Sequence, residues 1–387
     1  MATAASHPAE HPVAALGALG WAHFLNDGYI NYLPAVLPAL LVLRHIPLSL
    51  VGSLILAVQG LGSLLQPLFG ALADHLGGRR FVIAGLAVSA ICASAVGLIG
   101  SYPLLIATLM LAGVGSAIFH PQALAQARAV GRGKGSHMSL FLIGGELGRG
   151  VWPSVAALIV SALGLPSLWL LAIPGLLTLP LLAARTPSLT PRSAAQAGAL
   201  RVPWARVSAL VGFVGLRGLV TFGVATFVPL FWHQLGGSLI GGASLISVML
   251  GVGVIGNFSG GILADRFGRR RVLLAASSLS TLFLALFLVS GGFWWWVVLA
   301  LLGISTFATA PITMLMGQDL FPGRHSMASG ISLGSGTFLG ALGVFVMGLL
   351  SARFGVAASL TWLTVFSLLA IPLIAALPKD ARSGPAR

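Results

Sequence analysis

Six ionisable side chains lie inside long apolar stretches of this sequence, where charged residues are rare. They are His23, Asp27, His120, Glu146, Arg149 and Arg217. Placing an ionisable group in an apolar environment is costly, so each of the six is a candidate for function. A carboxyl group there can carry a proton, a histidine changes its charge near neutral pH, and an arginine stays charged and can hold an anion. The residue types therefore predict proton exchange and the binding of a charged molecule.

Helical spacing pairs four of these residues. Asp27 follows His23 by four residues and Arg149 follows Glu146 by three, so each pair shares a helix face. Glu146 and Arg149 either neutralise each other or line a cavity. We expect Asp27 to pair with Arg217, which the internal repeat described below relates to a position beside Asp27. Such a pair either takes part directly in the function of the protein or only fixes helix packing.

These patterns predict specific roles. We assign proton coupling to Asp27, Glu146 and His23. Contact with a substrate is predicted for a polar set in the same apolar segments: Asp27, Asn31, His120, Gln122, Arg149 and Arg217. Neither intramembrane histidine has a second histidine four residues later or a cysteine nearby, so no metal site is predicted. The sequence has no Gly-rich loop of the phosphate-cradling type, which argues against ATP hydrolysis, and no cofactor is expected.

The composition defines the elements that must position these residues. Of 387 residues, 57% are hydrophobic and 7% are charged, whereas soluble proteins carry about 25% charged residues. So few charges exclude a soluble enzyme and a disordered chain. The single cysteine, Cys92, excludes an intrachain disulfide scaffold. The chain is therefore predicted to be a polytopic α-helical membrane protein.

Twelve stretches are long enough to span a bilayer, which takes about 20 apolar residues. They lie at about 13–42, 48–73, 80–99, 103–127, 136–162, 167–184, 206–234, 239–263, 271–291, 293–318, 325–351 and 355–377. A polar, proline-containing stretch at 185–205 divides six segments from six. We predict an all-α integral membrane protein with twelve transmembrane helices in two pseudo-symmetric six-helix bundles, at 1–184 and 206–387, joined by a linker at 185–205.

The basic residues indicate the orientation. Lys and Arg number 21 against 7 Asp and Glu, and most of the basic residues lie in short loops between apolar segments. That placement is typical of membrane topology rather than of nucleic-acid binding. Counted by loop, they collect on one side of the membrane, whereas the other side holds Arg44 and Arg353. Because positive loops face the cytoplasm, both termini are predicted to be cytoplasmic, in a bacterial inner membrane.

A short motif occurs twice. Residues 70–80 read GALADHLGGRR and residues 261–271 read GILADRFGRRR, at a constant offset of 191 positions. An even number of spans in each half makes the two repeats parallel, related by an axis along the membrane normal. Carboxylates and arginines at helix ends can make contacts that exist in one conformation and break in another. We predict such gating for five residues of the motif: Asp74, Arg79, Arg80, Asp265 and Arg270.

The duplicated motif resembles the signature loop of the major facilitator superfamily. A narrower likeness lies in four segments that are similar to the fosmidomycin-resistance-type branch: residues 23–40, 118–128, 144–153 and 215–231. The resemblance implies the major facilitator fold, a central site and proton-driven drug export. Gln122 stands where that branch usually has an acid, and Glu146 and Arg149 stand where it has uncharged polar residues. These differences alter the charge of the expected cavity.

Together these features predict a proton-coupled transporter. The favoured hypothesis is an antiporter that exports a drug or another small organic molecule by alternating access. The alternative is an uptake symporter for a small organic anion. A membrane-embedded enzyme or lipid scramblase and a channel are further alternatives, and an enzyme would require a clustered catalytic set. The expected partners are a small-molecule substrate, protons and the lipid bilayer, without nucleic acid, and the chain is expected to act as a monomer.

Overall fold

The computed structural model describes residues 12–76, 78–131, 135–186, 203–321 and 325–377, and all secondary structure in these ranges is helical. The α-helices are α1 Pro12–Asn31, α2 Leu33–Leu43, α3 Val51–Leu76, α4 Gly78–Ala95, α5 Tyr102–Val130, α6 Gly135–Leu163, α7 Ala172–Arg185, α8 Trp204–Gln234, α9 Leu239–Phe267, α10 Arg269–Val289, α11 Trp294–Leu320, α12 His325–Phe354 and α13 Val356–Leu373. Short 3₁₀ turns extend four of the membrane segments, among them Leu165–Leu171 before α7.

The first predicted segment is a single span that is interrupted at Tyr32, between α1 and α2. Pro34 stands in the first turn of α2, where its missing N–H group costs nothing. The interruption is held from outside the helix, because the Tyr32 hydroxyl donates a hydrogen bond of 2.7 Å to the carbonyl oxygen of Ala93. His23 and Asp27 lie in α1, before this break.

The described segments confirm the predicted fold class. Ten helices are long and apolar enough to cross a membrane. The two further segments, α1–α2 and α6, complete the set of twelve. They are the two that carry acidic residues at mid-helix, Asp27 and Glu146.

Helix packing repeats between the two bundles, which we call the first bundle (α1–α7) and the second bundle (α8–α13). In the first bundle α1 packs on α6, and α5 packs on both α3 and α4. The equivalent pairs pack in the second bundle: α8 on α12, and α11 on α9 and α10. The bundles meet through α3 with α12 and α6 with α9. The boundaries given to the linker stay a prediction, because residues 187–202 lie outside the described ranges.

Glycines bring α1 and α6 into backbone contact. A Cβ atom at Gly144 would lie 2.2 Å from the carbonyl oxygen of Gly20, and one at Gly148 would lie 2.0 Å from that of Phe24. Side chains at these two positions would therefore force the helices apart. The close approach places the polar face of α1 directly against the charged face of α6.

Candidate functional site

Five of the six intramembrane ionisable residues meet at one place. They come from α1, α5 and α6, and we call them the charged cluster: His23, Asp27, His120, Glu146 and Arg149. His23, Asp27 and Glu146 are buried. The His120 and Arg149 side chains keep 30% and 29% of their surface exposed, so the cluster is not fully enclosed.

Asp27 is the centre of the cluster, and its two oxygens face different partners. Oδ1 lies 2.8 Å from Nε2 of His120 and 3.6 Å from Nε2 of His23. Oδ2 lies 3.3 Å from Nε of Arg149. One carboxylate oxygen therefore faces two imidazoles, whereas the other faces a guanidinium group.

Backbone carbonyls determine which ring nitrogen of each histidine carries hydrogen. Nδ1 of His23 lies 2.9 Å from the carbonyl oxygen of Phe141, and Nδ1 of His120 lies 3.0 Å from that of Ser116. A carbonyl oxygen only accepts, so both Nδ1 atoms must be the donors. In a neutral ring this leaves Nε2 with a lone pair, and both Nε2 atoms face Oδ1 of Asp27. The 2.8 Å contact of His120 with Asp27 therefore requires a hydrogen between the two atoms.

Arg149 links the two acids of the cluster. In addition to its contact with Asp27, its Nη2 donates a hydrogen bond to Oε1 of Glu146. The same oxygen accepts a hydrogen bond of 2.9 Å from Nδ2 of Asn257, on α9 of the second bundle. Glu146 is thus hydrogen-bonded to its own helix and to the opposite bundle. Sequence reasoning missed Asn257, although a polar residue within an apolar segment, at the repeat position of Gln66, was an available signal.

The expected pairing of Asp27 with Arg217 is wrong. Asp27 pairs with Arg149 because α1 packs closely on α6. The guanidinium group of Arg217 lies beside α11 instead, with Nη1 at 3.5 Å from Oγ1 of Thr309 and 3.4 Å from Oγ1 of Thr313. Among the described residues, no acidic side chain lies within ion-pair distance of Arg217.

A small cavity adjoins Arg217 inside the second bundle. Its polar wall is made of hydroxyl groups on three helices: Ser277, Ser280, Thr306, Thr309 and Ser367. Hydroxyl groups donate as well as accept hydrogen bonds. The cavity therefore places hydrogen-bonding groups next to a guanidinium group that has no carboxylate partner among the described residues.

Asn31 and Gln122 lie outside the charged cluster. The amide of Asn31 donates to the carbonyl oxygen of Asp27 at 2.9 Å and accepts from Nε2 of Gln59 at 3.4 Å. Gln122 is buried near the start of α4, where a Cβ atom at Gly78 would lie 2.3 Å from its Oε1. Their substrate roles stay predictions.

The sequence matches the profile of the Major Facilitator Superfamily over residues 19–332 and, in a second match, over 213–386. The chain belongs to this superfamily. It is therefore a multi-pass membrane transporter with a small-molecule substrate, and the family supports a transport role rather than an enzymatic one.

Two curated relatives cover nearly the whole chain. One is the MFS-type transporter YfnC of Bacillus subtilis, 28% identical over 94% of this chain and 92% of the relative. Another is the fosmidomycin resistance protein of Escherichia coli, 26% identical over 90% of this chain and 89% of the relative.

Solved structures of other transporters share the fold. The nucleoside transporter NupG superposes with a TM-score of 0.76 at 14% identity, covering 94% of this chain and 100% of NupG. A bacterial homologue of the lysosomal transporter Spinster, in an inward-facing and unoccupied conformation, gives 0.75 at 15% identity, covering 97% of this chain and all of the homologue. At these identities the structural similarity shows a shared fold alone.

The signature loops of this superfamily member contain the predicted gate residues. The Asp74 side chain lies outside the described part of the chain, Arg80 and Asp265 are exposed, and Arg270 is half-buried. Nη1 of Arg79 donates to the carbonyl oxygen of Ala183 at 3.3 Å. Beside the second loop, at the start of α10, Nη1 of Arg269 lies 2.5 Å from Oδ2 of Asp319, near the end of α11. This ion pair does not include Asp265 or Arg270. The gating roles stay predictions.

Three possible metal ligands meet in the fold although they lack metal-ligand spacing along a single helix. His120 of α5 lies beside His23 and Asp27 of α1. One ligand atom from each of these three residues lies within 4.8 Å of the other two.

Proposed function

We propose that this transporter is a proton-driven antiporter that exports a small organic anion from the bacterial cytoplasm. The observation that carries the proposal is the contact of Glu146 with Asn257, because it joins an ionisable group of one bundle to the other bundle. Alternating access requires the two bundles to change their contacts. A carboxylate in such a contact links the gain or loss of a proton to that change.

Glu146 is the residue to which we assign the exchanged proton. Its Oε1 accepts hydrogen bonds from Arg149 and Asn257 while the group is ionised. Hydrogen bonds to a charged group contribute about 1.5–3 kcal/mol, against about 0.5–1.5 kcal/mol for neutral partners. Protonation of Glu146 therefore weakens the hydrogen bonding between α6 and α9 and favours separation of the bundles where these two helices meet. Of the other predicted coupling residues, Asp27 contacts Arg149, and His23 lies beside Asp27.

Arg217 is the residue to which we assign the substrate anion. Its guanidinium group has hydroxyl partners but no carboxylate partner among the described residues. Because Arg217 is not paired with Asp27, an anion can bind to it while Glu146 is ionised. Antiport requires the substrate to bind while Glu146 is deprotonated, because the proton and the substrate must cross the membrane in separate, opposite steps. The name of the relative from Escherichia coli, a fosmidomycin resistance protein, supports drug export.

The alternative is uptake of an organic anion together with protons, and the bridging position of Arg149 favours it. Arg149 contacts both Asp27 and Glu146, so protonation of Glu146 removes one of its two carboxylate partners. The released guanidinium group could then bind an anion, so that proton and substrate would be loaded together.

Proteoliposomes with an enclosed pH indicator distinguish the two directions. For an antiporter, substrate added on one side drives protons out of the opposite compartment, and an imposed pH gradient drives substrate against the proton flow. Substrate and protons that move in the same direction would overturn export and establish symport. Substrates are found beforehand with a drug-susceptibility panel, including phosphonates, on cells that lack or overexpress the transporter.

The same proposal places the transporter in the bacterial inner membrane as a monomer with both termini in the cytoplasm. The support is the asymmetry of basic residues between the two sets of loops. Reporter fusions at the two termini test this orientation, and a periplasmic signal from either fusion would contradict it.

A further inference from the structure

His23, Asp27 and His120 form a group whose chemistry goes beyond proton exchange. Two imidazole nitrogens and a carboxylate oxygen are a donor set that suits zinc and similar divalent ions. The three residues come from two helices, α1 and α5, and their ligand atoms lie within 4.8 Å of one another.

The second ring nitrogen of each histidine is already held as metal-binding histidines require. Ligating histidines almost always donate their other N–H group to a carbonyl or carboxylate oxygen, which fixes the ring and its tautomer. His23 does so to Phe141 O at 2.9 Å and His120 does so to Ser116 O at 3.0 Å. When the hydrogen between His120 and Asp27 is released, the Nε2 atoms of both histidines can offer lone pairs to an ion next to Oδ1 of Asp27.

The distances are close to those of a bound ion. Zinc lies about 2.0–2.2 Å from nitrogen and oxygen ligands, which places tetrahedral ligand atoms roughly 3.4 Å from one another. Oδ1 of Asp27 lies 2.8 Å from Nε2 of His120 and 3.6 Å from Nε2 of His23. These two separations differ from the tetrahedral value by about 0.6 Å and about 0.2 Å.

Charge and access also favour a cation at this point. Once the hydrogen between His120 and Asp27 is released, the cluster holds two carboxylates, Asp27 and Glu146, against one guanidinium group, Arg149. Arg149 contacts Oδ2 of Asp27, so Oδ1 stays available to an ion. The His120 side chain is 30% exposed, which provides a route of entry.

We propose that His23, Asp27 and His120 bind one divalent transition-metal ion of the zinc type through two Nε2 atoms and Oδ1. Three protein ligands leave the fourth tetrahedral position open to water or another small ligand. All three ligands belong to the first bundle, so the ion moves with that bundle. The inference rests on the geometry of this group and does not depend on the direction or coupling of transport.

Cobalt(II) and zinc(II) test the site in the purified, full-length transporter, with any polyhistidine tag removed. Cobalt(II) should bind at one ion per chain and give visible absorption bands of a low-coordinate site, and zinc(II) should displace it. His23→Gln, His120→Gln and Asp27→Asn should each abolish this binding. His233→Gln is the matched control, since His233 lies at the end of α8, far from the cluster in the chain, and this variant should bind as the wild type does.

A second measurement uses only the wild type, so it tests the site even if a variant fails to fold. Zinc should slow modification of His120 by diethyl pyrocarbonate, detected by mass spectrometry, and leave modification of His233 unchanged. The proposal is overturned if the wild type binds neither ion. It is equally overturned if folded His120→Gln and Asp27→Asn proteins bind as the wild type does, or if zinc protects both histidines alike.

Discussion

The hydrogen bond from Asn257 to Glu146 should set the balance between the conformations of the transporter. Asn257→Leu removes the donor on α9 and keeps a side chain of similar size. The contact joins the two bundles and ends on a carboxylate, so it should stabilise the conformation seen here by about 1.5–3 kcal/mol. A difference of 1.4 kcal/mol is a factor of ten. The substitution should therefore shift the population away from this conformation by roughly ten- to more than a hundredfold.

A neutral hydrogen bond between the same two helices provides the control. Ser154 of α6 donates to Ser247 of α9 at 2.8 Å. Hydrogen bonds between neutral groups contribute about 0.5–1.5 kcal/mol, so Ser247→Ala should shift the population by roughly two- to twelvefold. Both bonds cross the same interface, and they differ in the charge of the acceptor.

Double electron–electron resonance measures the shift directly. Spin labels at Ser101→Cys and Gly291→Cys, in a Cys92→Ser background, lie in equivalent loops of the two bundles. Asn257→Leu should move most of the distance distribution to a second population, and Glu146→Gln should do so to a similar extent. An unchanged distribution in Asn257→Leu would refute the assignment. An equally large change in Ser247→Ala would show that the charge of Glu146 is irrelevant to it.

Four further substitutions examine the site and the packing that forms it. Asp27→Asn should abolish transport driven by a pH gradient in proteoliposomes while the protein still inserts, because Arg149 loses one of its carboxylate partners; wild-type transport would contradict this. Arg217→Gln should remove the binding of anionic substrates but spare neutral analogues in a direct binding assay, and equal losses for both would argue against anion recognition. Asp74→Ala should change cysteine accessibility on the two faces and keep substrate binding, whereas lost binding with unchanged accessibility would indicate a site role. Gly148→Ala should lower the thermal unfolding midpoint, with a cost of about 1–3 kcal/mol from overpacking, because its Cβ atom would lie 2.0 Å from a carbonyl oxygen of α1; Gly17→Ala, with nothing within 4 Å of its Cβ atom, is the control and should not destabilise the protein.

The fold could be predicted from the sequence because a membrane restricts the choices. Each backbone polar group must be satisfied within its own segment, so an apolar stretch of about 20 residues has essentially one solution, the helix. The repeated loop at 70–80 and 261–271 then indicated the relation between the halves. Contacts within one helix were more accessible: the spacing of Glu146 and Arg149 placed them on one helix face, and mutual neutralisation was one of the two interpretations. The structure contains that ion pair.

Contacts between helices could not be predicted, because they depend on how each helix is rotated against its neighbours. The repeat relates Arg217 to Asn26, next to Asp27, and this relation suggested that Arg217 and Asp27 touch. Pseudo-symmetry states only that two residues occupy equivalent places in their own bundles. The actual partner of Asp27 is determined by the backbone contact of α1 with α6, which depends on Gly144 and Gly148 and on the atoms they face. The contacts of His120 with Asp27 and of Asn257 with Glu146 depend on helix packing in the same way.

The two intramembrane arginines therefore have different electrostatic roles. Arg149 contacts two carboxylates, and its charge is compensated within the first bundle. Arg217 has hydroxyl partners alone in the described part of the second bundle, and a guanidinium group so placed in a membrane lacks the counter-charge that would offset its desolvation. A substrate anion can provide that counter-charge while it is bound. We thus assign the substrate charge and the exchanged proton to opposite bundles. The hydrogen bond from Asn257 to Glu146 is a described contact between the bundles that ends on an ionisable group, so it can link a change of protonation in one bundle to the position of the other.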